Sequence, residues 1–130
     1  PERIDEEFLS LIANLPQQVY FIIHCNHPRE LDQEIMSRLK ALQRLGCLIL
    51  NQAVLLKGVN DDINTLKQLA EQLVNHGVIF YYLHQLDRVQ GAAHFEVDED
   101  KGRFLIAEIA KQLPGYAVPK YVREIAGEPN

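Results

Sequence analysis

Three apolar runs, Val19 to His24, Leu48 onward to Asp61, and Val78 to Asp87, constrain this chain more than any other feature. They are rich in β-branched and aromatic residues and apolar at consecutive positions, the pattern of strands covered on both faces of a parallel sheet. Between them run helical stripes: Leu31, Ile35, Leu39, Leu42 and Leu45 closed by Gly46, then Ile63, Leu66, Leu69, Ala70, Leu73 and Val74 closed by Gly77. Strand, loop and helix thus repeat about every thirty residues, the length of a βαβ unit. The spacing predicts strands near 19–24, 48–54 and 78–86, and helices near 4–14, 29–45, 61–76 and 99–113. Asn26 or His27 is expected to start the second helix, and Asn60 or Asp61 to cap the third.

The fold class is therefore α/β with parallel strands in chain order, and the whole chain reads as part of one (β/α) barrel or open sheet. Three strand–helix units cannot close an eight-stranded barrel, so residues 1–130 read as a piece of something larger, with 114–130 as a tail leading out of it. Missing strands would leave open edges and an apolar face. Self-association to a homo-oligomer, or coverage of an edge by residues 116–125, is the expected answer.

At 47% hydrophobic and 24% charged residues the composition is that of a folded soluble domain, and a net charge of −5 argues against a nucleic-acid partner held through phosphates. No run approaches the ~20 apolar residues of a membrane helix. No membrane partner is expected, and the cytoplasm is the expected location. Two cysteines, Cys25 and Cys47, would lie at opposite ends of adjacent strands, about 15 Å apart at ~3.3 Å per residue. Bridging needs ~7 Å or less, so both read as reduced thiols.

Polar residues close the runs, and an unpaired buried amide costs roughly 1–3 kcal/mol, so Asn51 and Gln52 require partners. Strict alternation puts Ile22 with His24, Leu50 with Gln52, and Tyr81, Leu83, Gln85 with Asp87 on shared faces. His24, Gln52 and Asp87 could then line one cavity at the carboxyl ends, where ligands bind in such folds. His84, of opposite parity, is expected to face the helices or a loop. His27 reads as a cap and His94 as solvated. Lys57-Gly58-Val59-Asn60 carries a weak anion-binding signal. No metal, Walker-loop or nucleophile-elbow motif is present.

Four separated segments carry a resemblance: His24-Cys25-Asn26-His27-Pro28-Arg29-Glu30, Asn51 to Asp61, Tyr81 to Asp87, and Gly115-Tyr116-Ala117-Val118-Pro119. In order and spacing they resemble the C-terminal half of lysine 2,3-aminomutases, radical S-adenosylmethionine enzymes with a partial barrel, a [4Fe–4S] cluster and pyridoxal 5′-phosphate. The resemblance implies an isomerase in which a 5′-deoxyadenosyl radical initiates migration of the lysine amino group from C2 to C3, the cofactors supplying the hard chemistry. It implies that Asp87 and Glu124 hold the substrate ε-ammonium, Glu124 standing where the family has an aspartate, and that His24 and Gln52 approach S-adenosylmethionine. Gly127-Glu128-Pro129-Asn130 is most similar to the bacterial type that makes (R)-β-lysine for elongation factor P, which implies a functional link to that factor.

Departures from the family pattern carry their own expectations. The CxxxCxxC cluster motif is absent, and the lysine that carries pyridoxal phosphate would fall just past Asn130. The chain alone is accordingly expected to hold neither cluster nor pyridoxal aldimine and to be inert, with no catalytic residue of its own. Two other readings stand beside this one: a different barrel lyase using Asp87 and Lys57, or a non-catalytic remnant that binds a partner.

Overall fold

The computed structural model describes residues 5–15, 17–86 and 93–123. Helix α1 (Glu6–Ala13) is followed by β1 (Tyr20–Ile23), α2 (Gln33–Arg44), β2 (Leu48–Leu55), α3 (Ile63–Asn75), β3 (Ile79–Gln85), α4 (Glu99–Gln112) and β4 (Lys120–Arg123). The four strands form one parallel sheet in the order β1-β2-β3-β4. Parallel pairing in chain order agrees with the partial barrel read from the sequence. Instead of three strands there are four, because the β-like piece at Tyr121-Val122 pairs in register with β3, Leu83 against Tyr121. The tail thus covers the outer edge of β3.

Local chemistry moves the predicted helix boundaries. The stretch expected as one helix from 29 is split: His27 caps a short 3-10 turn, Pro28–Glu30, accepting from Arg29 N–H while Glu30 accepts from His27 N–H. Asp32 then opens α2 by accepting from Ile35 N–H at 2.8 Å. Asp62 caps α3 through Thr65 N–H. Neither Asn60 nor Asp61 does so, since both side chains are drawn into the preceding loop. Gly46 and Gly77 follow α2 and α3 with φ of +91° and +76°, which an L side chain rarely adopts, and end both helices.

The two sheet faces differ sharply. On one, Ile49, Ala53, Leu55, Phe80 and Leu83 pack against Leu39 and Leu42 of α2, Leu66, Leu69 and Leu73 of α3, and Ile109 of α4, all at most 2% exposed. At roughly 1.5–3 kcal/mol for each fully buried large side chain, this layer supplies the driving force for folding. The opposite face is open. Tyr20, Ile22, Leu48, Ile79 and Tyr81 lie 37–61% exposed, the side that becomes the interior when a sheet of this kind curls into a barrel.

Both cysteines are buried and unbridged, as expected from their separation. Among the described residues no helix is long and apolar enough to cross a membrane.

Candidate functional site

At the carboxyl ends of β1 and β2 the polar side chains divide between the faces. Asn51, wholly buried, turns to the helix side, where its Oδ1 accepts from Cys25 N–H at 2.8 Å and its Nδ2 donates to Cys25 carbonyl at 3.1 Å. Asn26 Oδ1 accepts from Val54 N–H. Asn60, also wholly buried, accepts from Leu56 N–H and donates to the carbonyls of Asn26 and Val54 at 2.8 and 2.9 Å. Where the ladder ends, three asparagines continue it with side-chain amides. A cap and a strand stitch use the same residue type, which is why Asn60 reads as a cap in sequence.

Gln52 points to the open face, and His24, one residue past the Ile23–Asn51 pair, comes next to it in register and is exposed. The two thus share the face that strict alternation assigns them. The structure corrects the reading of β3. The register jumps between Asn51↔Phe80 and Gln52↔Tyr82, leaving Tyr81 as an extra residue, and this bulge reverses the alternation beyond it. His84 therefore faces the open side, its Nε2 3.1 Å from Gln52 Oε1, while Leu83 and Gln85 turn to the helices. Tyr82 and His84 meet edge to face with centroids 5.5 Å apart, and the Tyr81 and Tyr82 rings lie 4.2 Å apart. The hydrogen bond and charge of Tyr81, with a smaller effect of burial, push the Tyr82 phenol above its ordinary pKa.

Gln85 instead belongs to a buried join between β3, α4 and β4. Its Nε2 donates to Val97 carbonyl at 2.6 Å, and its Oε1 accepts from the Tyr121 hydroxyl. The Tyr121 ring tip lies against Gly102 of α4, where a Cβ would overlap it. Nothing in the spacing of Gln85, Gly102 and Tyr121 announces this join. Asp87 and Glu124, the two acids expected at the substrate, lie outside the described residues.

The loop after β2 does not form the anion cradle that Lys57 to Asn60 suggested. Lys57 N–H donates to Phe95 carbonyl, Gly58 N–H to Asp61 Oδ1, and those of Val59 and Asn60 to Leu56 carbonyl. For Asp61, burial pushes the carboxyl up, but Lys101 Nζ at 3.0 Å and the Gly58 N–H outweigh it and hold it below the usual range. Burial, reinforced by Glu30, raises the Cys25 thiol to about 11, so it is no ready thiolate.

The cofactors implied by the resemblance can be tested against these groups. An open apolar face edged by an imidazole pair and an amide suits S-adenosylmethionine, with an adenosyl body and polar amino-acid end. Cys25 and Cys47 do not suit an iron–sulfur cluster, being buried at opposite ends of the sheet, and among the described residues no cluster of acidic, histidine and cysteine side chains could hold a metal. With its N–H groups engaged, the Lys57–Asn60 loop does not suit the phosphate of pyridoxal phosphate.

Among solved structures, the chain aligns over 94% of its length with 38% of a radical SAM methyltransferase from Sphaerobacter thermophilus, with TM-score 0.59 and 18% identity. The shared fold defines the class, part of a β/α barrel. Sequence relatives are more specific: L-lysine 2,3-aminomutases from Haemophilus influenzae and Escherichia coli are 45% and 44% identical over all 130 residues, and that of Clostridium subterminale is 34% identical over 127. Over its whole length the chain is thus similar in sequence to lysine 2,3-aminomutases. It spans 38% of the length of the first two and 30% of the third. No protein-family model matches it.

Proposed function

We propose that this chain forms the C-terminal strands of a lysine 2,3-aminomutase barrel, which converts lysine to β-lysine in the cytoplasm. The observation that carries the reading is the assembly of His24, Gln52 and His84 on the open face, at the strand ends of a chain similar throughout to these enzymes. When bound, S-adenosylmethionine, a [4Fe–4S] cluster and pyridoxal phosphate supply the radical and amino-migration chemistry. The described residues bind and orient. With His84 Nε2 donating to Gln52 Oε1, the Gln52 amide nitrogen is left to donate to the amino-acid end of S-adenosylmethionine, and His24 flanks it. Tyr81, Ile22 and Leu50 offer an apolar floor that excludes water.

Asp87, and Glu124 beyond it, hold the substrate ε-ammonium in this proposal, on the strength of the residue pattern around them. The likeness of Gly127-Glu128-Pro129-Asn130 to the β-lysine enzymes supports a role in elongation factor P modification.

The test uses the full-length, cofactor-loaded enzyme. Removing one partner of a buried charge pair costs about 2–5 kcal/mol. At ~1.4 kcal/mol per decade, Asp87→Asn should lower kcat/KM for lysine by roughly thirty- to several-thousand-fold, with S-adenosylmethionine affinity unchanged. Gln52→Ala should do the reverse, weakening S-adenosylmethionine and sparing lysine. Lysine turnover within about threefold of wild type in Asp87→Asn, under ~0.7 kcal/mol, would remove Asp87 from the substrate.

A further inference from the structure

We infer that Asn51 is a positioning residue for the His24–Gln52 face, an inference that rests on the reading of that face as the contact for S-adenosylmethionine. The backbone ladder between β1 and β2 stops at Ile23↔Asn51. Beyond it, the Asn51 amide meets both the N–H and the carbonyl of Cys25, as a further strand residue would. His24 is thereby held between two fixed points, Ile23 in the ladder and Cys25 on the amide. Asn51 also immediately precedes Gln52, so one residue sets where both side chains leave the sheet.

Asn51 cannot itself touch a ligand on that face. It is wholly buried and lies on the helix side, among positions otherwise filled by Ile49, Ala53 and Leu55. An aliphatic side chain would suit that layer better. What the amide adds is one donor and one acceptor set side by side. A carboxylate offers the acceptor alone, whereas a protonated carboxyl restores both.

That difference supplies a readout which loss of stability does not move. In the full-length, cofactor-loaded enzyme, S-adenosylmethionine binding would be measured by titration calorimetry for wild type, Asn51→Leu, Asn51→Asp, His24→Ala and Gln52→Ala, with circular dichroism showing which variants are folded. Asn51→Leu should weaken binding by about tenfold or more while remaining folded, the scale on which misplacement of a contact is felt. Asn51→Asp should be equally weak near pH 8 and return toward wild type near pH 6, as its carboxyl, raised by burial, takes up a proton and donates to Cys25 carbonyl. The ratio to wild type at each pH cancels other titrations.

A folded Asn51→Leu binding within about twofold of wild type, or an Asn51→Asp ratio flat with pH, would overturn the inference. Should Asn51→Leu not fold, the Asn51→Asp series decides alone. If His24→Ala and Gln52→Ala weaken binding but the Asn51 variants do not, only the positioning role falls. If His24→Ala and Gln52→Ala are themselves silent, the reading of the face falls and takes the inference with it.

Discussion

Between β1 and β2 the strand ends are joined by three asparagine side chains making six hydrogen bonds to backbone groups, whereas between β3 and β4 the join is one phenol seated against a glycine. The first device replaces missing ladder bonds and leaves the local shape to the backbone. The second relies on steric fit, with Gln85 relaying between Tyr121 and Val97. The contrast bears on the proposed function. The stitched pair carries His24 and Gln52 on its open face, and Asp87 and Glu124 follow the fitted pair in the sequence. If the two joins work as their geometry indicates, they should fail differently.

The largest effect is expected from Asn60→Leu. The substitution keeps the volume but leaves Leu56 N–H and the carbonyls of Asn26 and Val54 without their amide. Each buried unpaired group costs about 1–3 kcal/mol, and water can reach some of them, so a loss of about 3–5 kcal/mol is expected. Urea denaturation measures it. A loss below about 1 kcal/mol would mean that water replaces the asparagine and that the stitch is not what holds this pair.

Gly102→Ala sharpens the other side of the comparison because its sign is diagnostic. In an ordinary helix interior, alanine would stabilise by about 1 kcal/mol over glycine. Here the new Cβ would overlap the Tyr121 ring tip, so a net loss of about 2–3 kcal/mol is expected as the ring is forced from its seat. Repeating the change in a Tyr121→Ala background should recover the helix gain. The same loss in both backgrounds would show that the glycine serves something other than the phenol.

These two joins also mark where sequence reasoning succeeds and stops. The strands, the helices and the parallel order were legible because each rests on a periodic pattern of many residues, as in the stripe Leu66, Leu69, Ala70, Leu73 that is buried in α3. The bulge was not. Tyr81 and Tyr82 have the same β preference, and no residue type marks which of two adjacent tyrosines is unpaired; one slip exchanged the faces of His84 and Gln85. The shared face of His24 and Gln52 was legible because they precede or avoid that slip. Asn51 was rightly expected to need partners, but their identity, the backbone of Cys25, depends on the register between strands twenty-six residues apart and is invisible locally. Gly102 shows the same limit, since its partner is on another element.

Tyr121→Phe is the smallest perturbation of the fitted join, removing the hydroxyl while leaving the ring beside Gly102. A single net hydrogen bond is worth about 0.5–1.5 kcal/mol, so a neutral-pH loss of about 1 kcal/mol is expected. Its pH dependence says more. Burial first, then Glu99, pushes the Tyr121 phenol up to about 12 from an ordinary 10.0. A group whose folded pKa is raised lends stability that is whole below the unfolded pKa and lost as pH climbs through the folded one. The wild-type advantage over Tyr121→Phe should therefore hold at neutral pH and shrink between about 10 and 12, where ionisation removes the proton given to Gln85 Oε1. Subtracting the two urea midpoints at each pH cancels the other tyrosines, which titrate in both proteins. Because the phenol is only partly buried, solvent screening keeps the change modest. A midpoint difference near zero at neutral pH and across that window would show that the hydroxyl contributes nothing beyond the ring, leaving steric fit against Gly102 as the whole of the join.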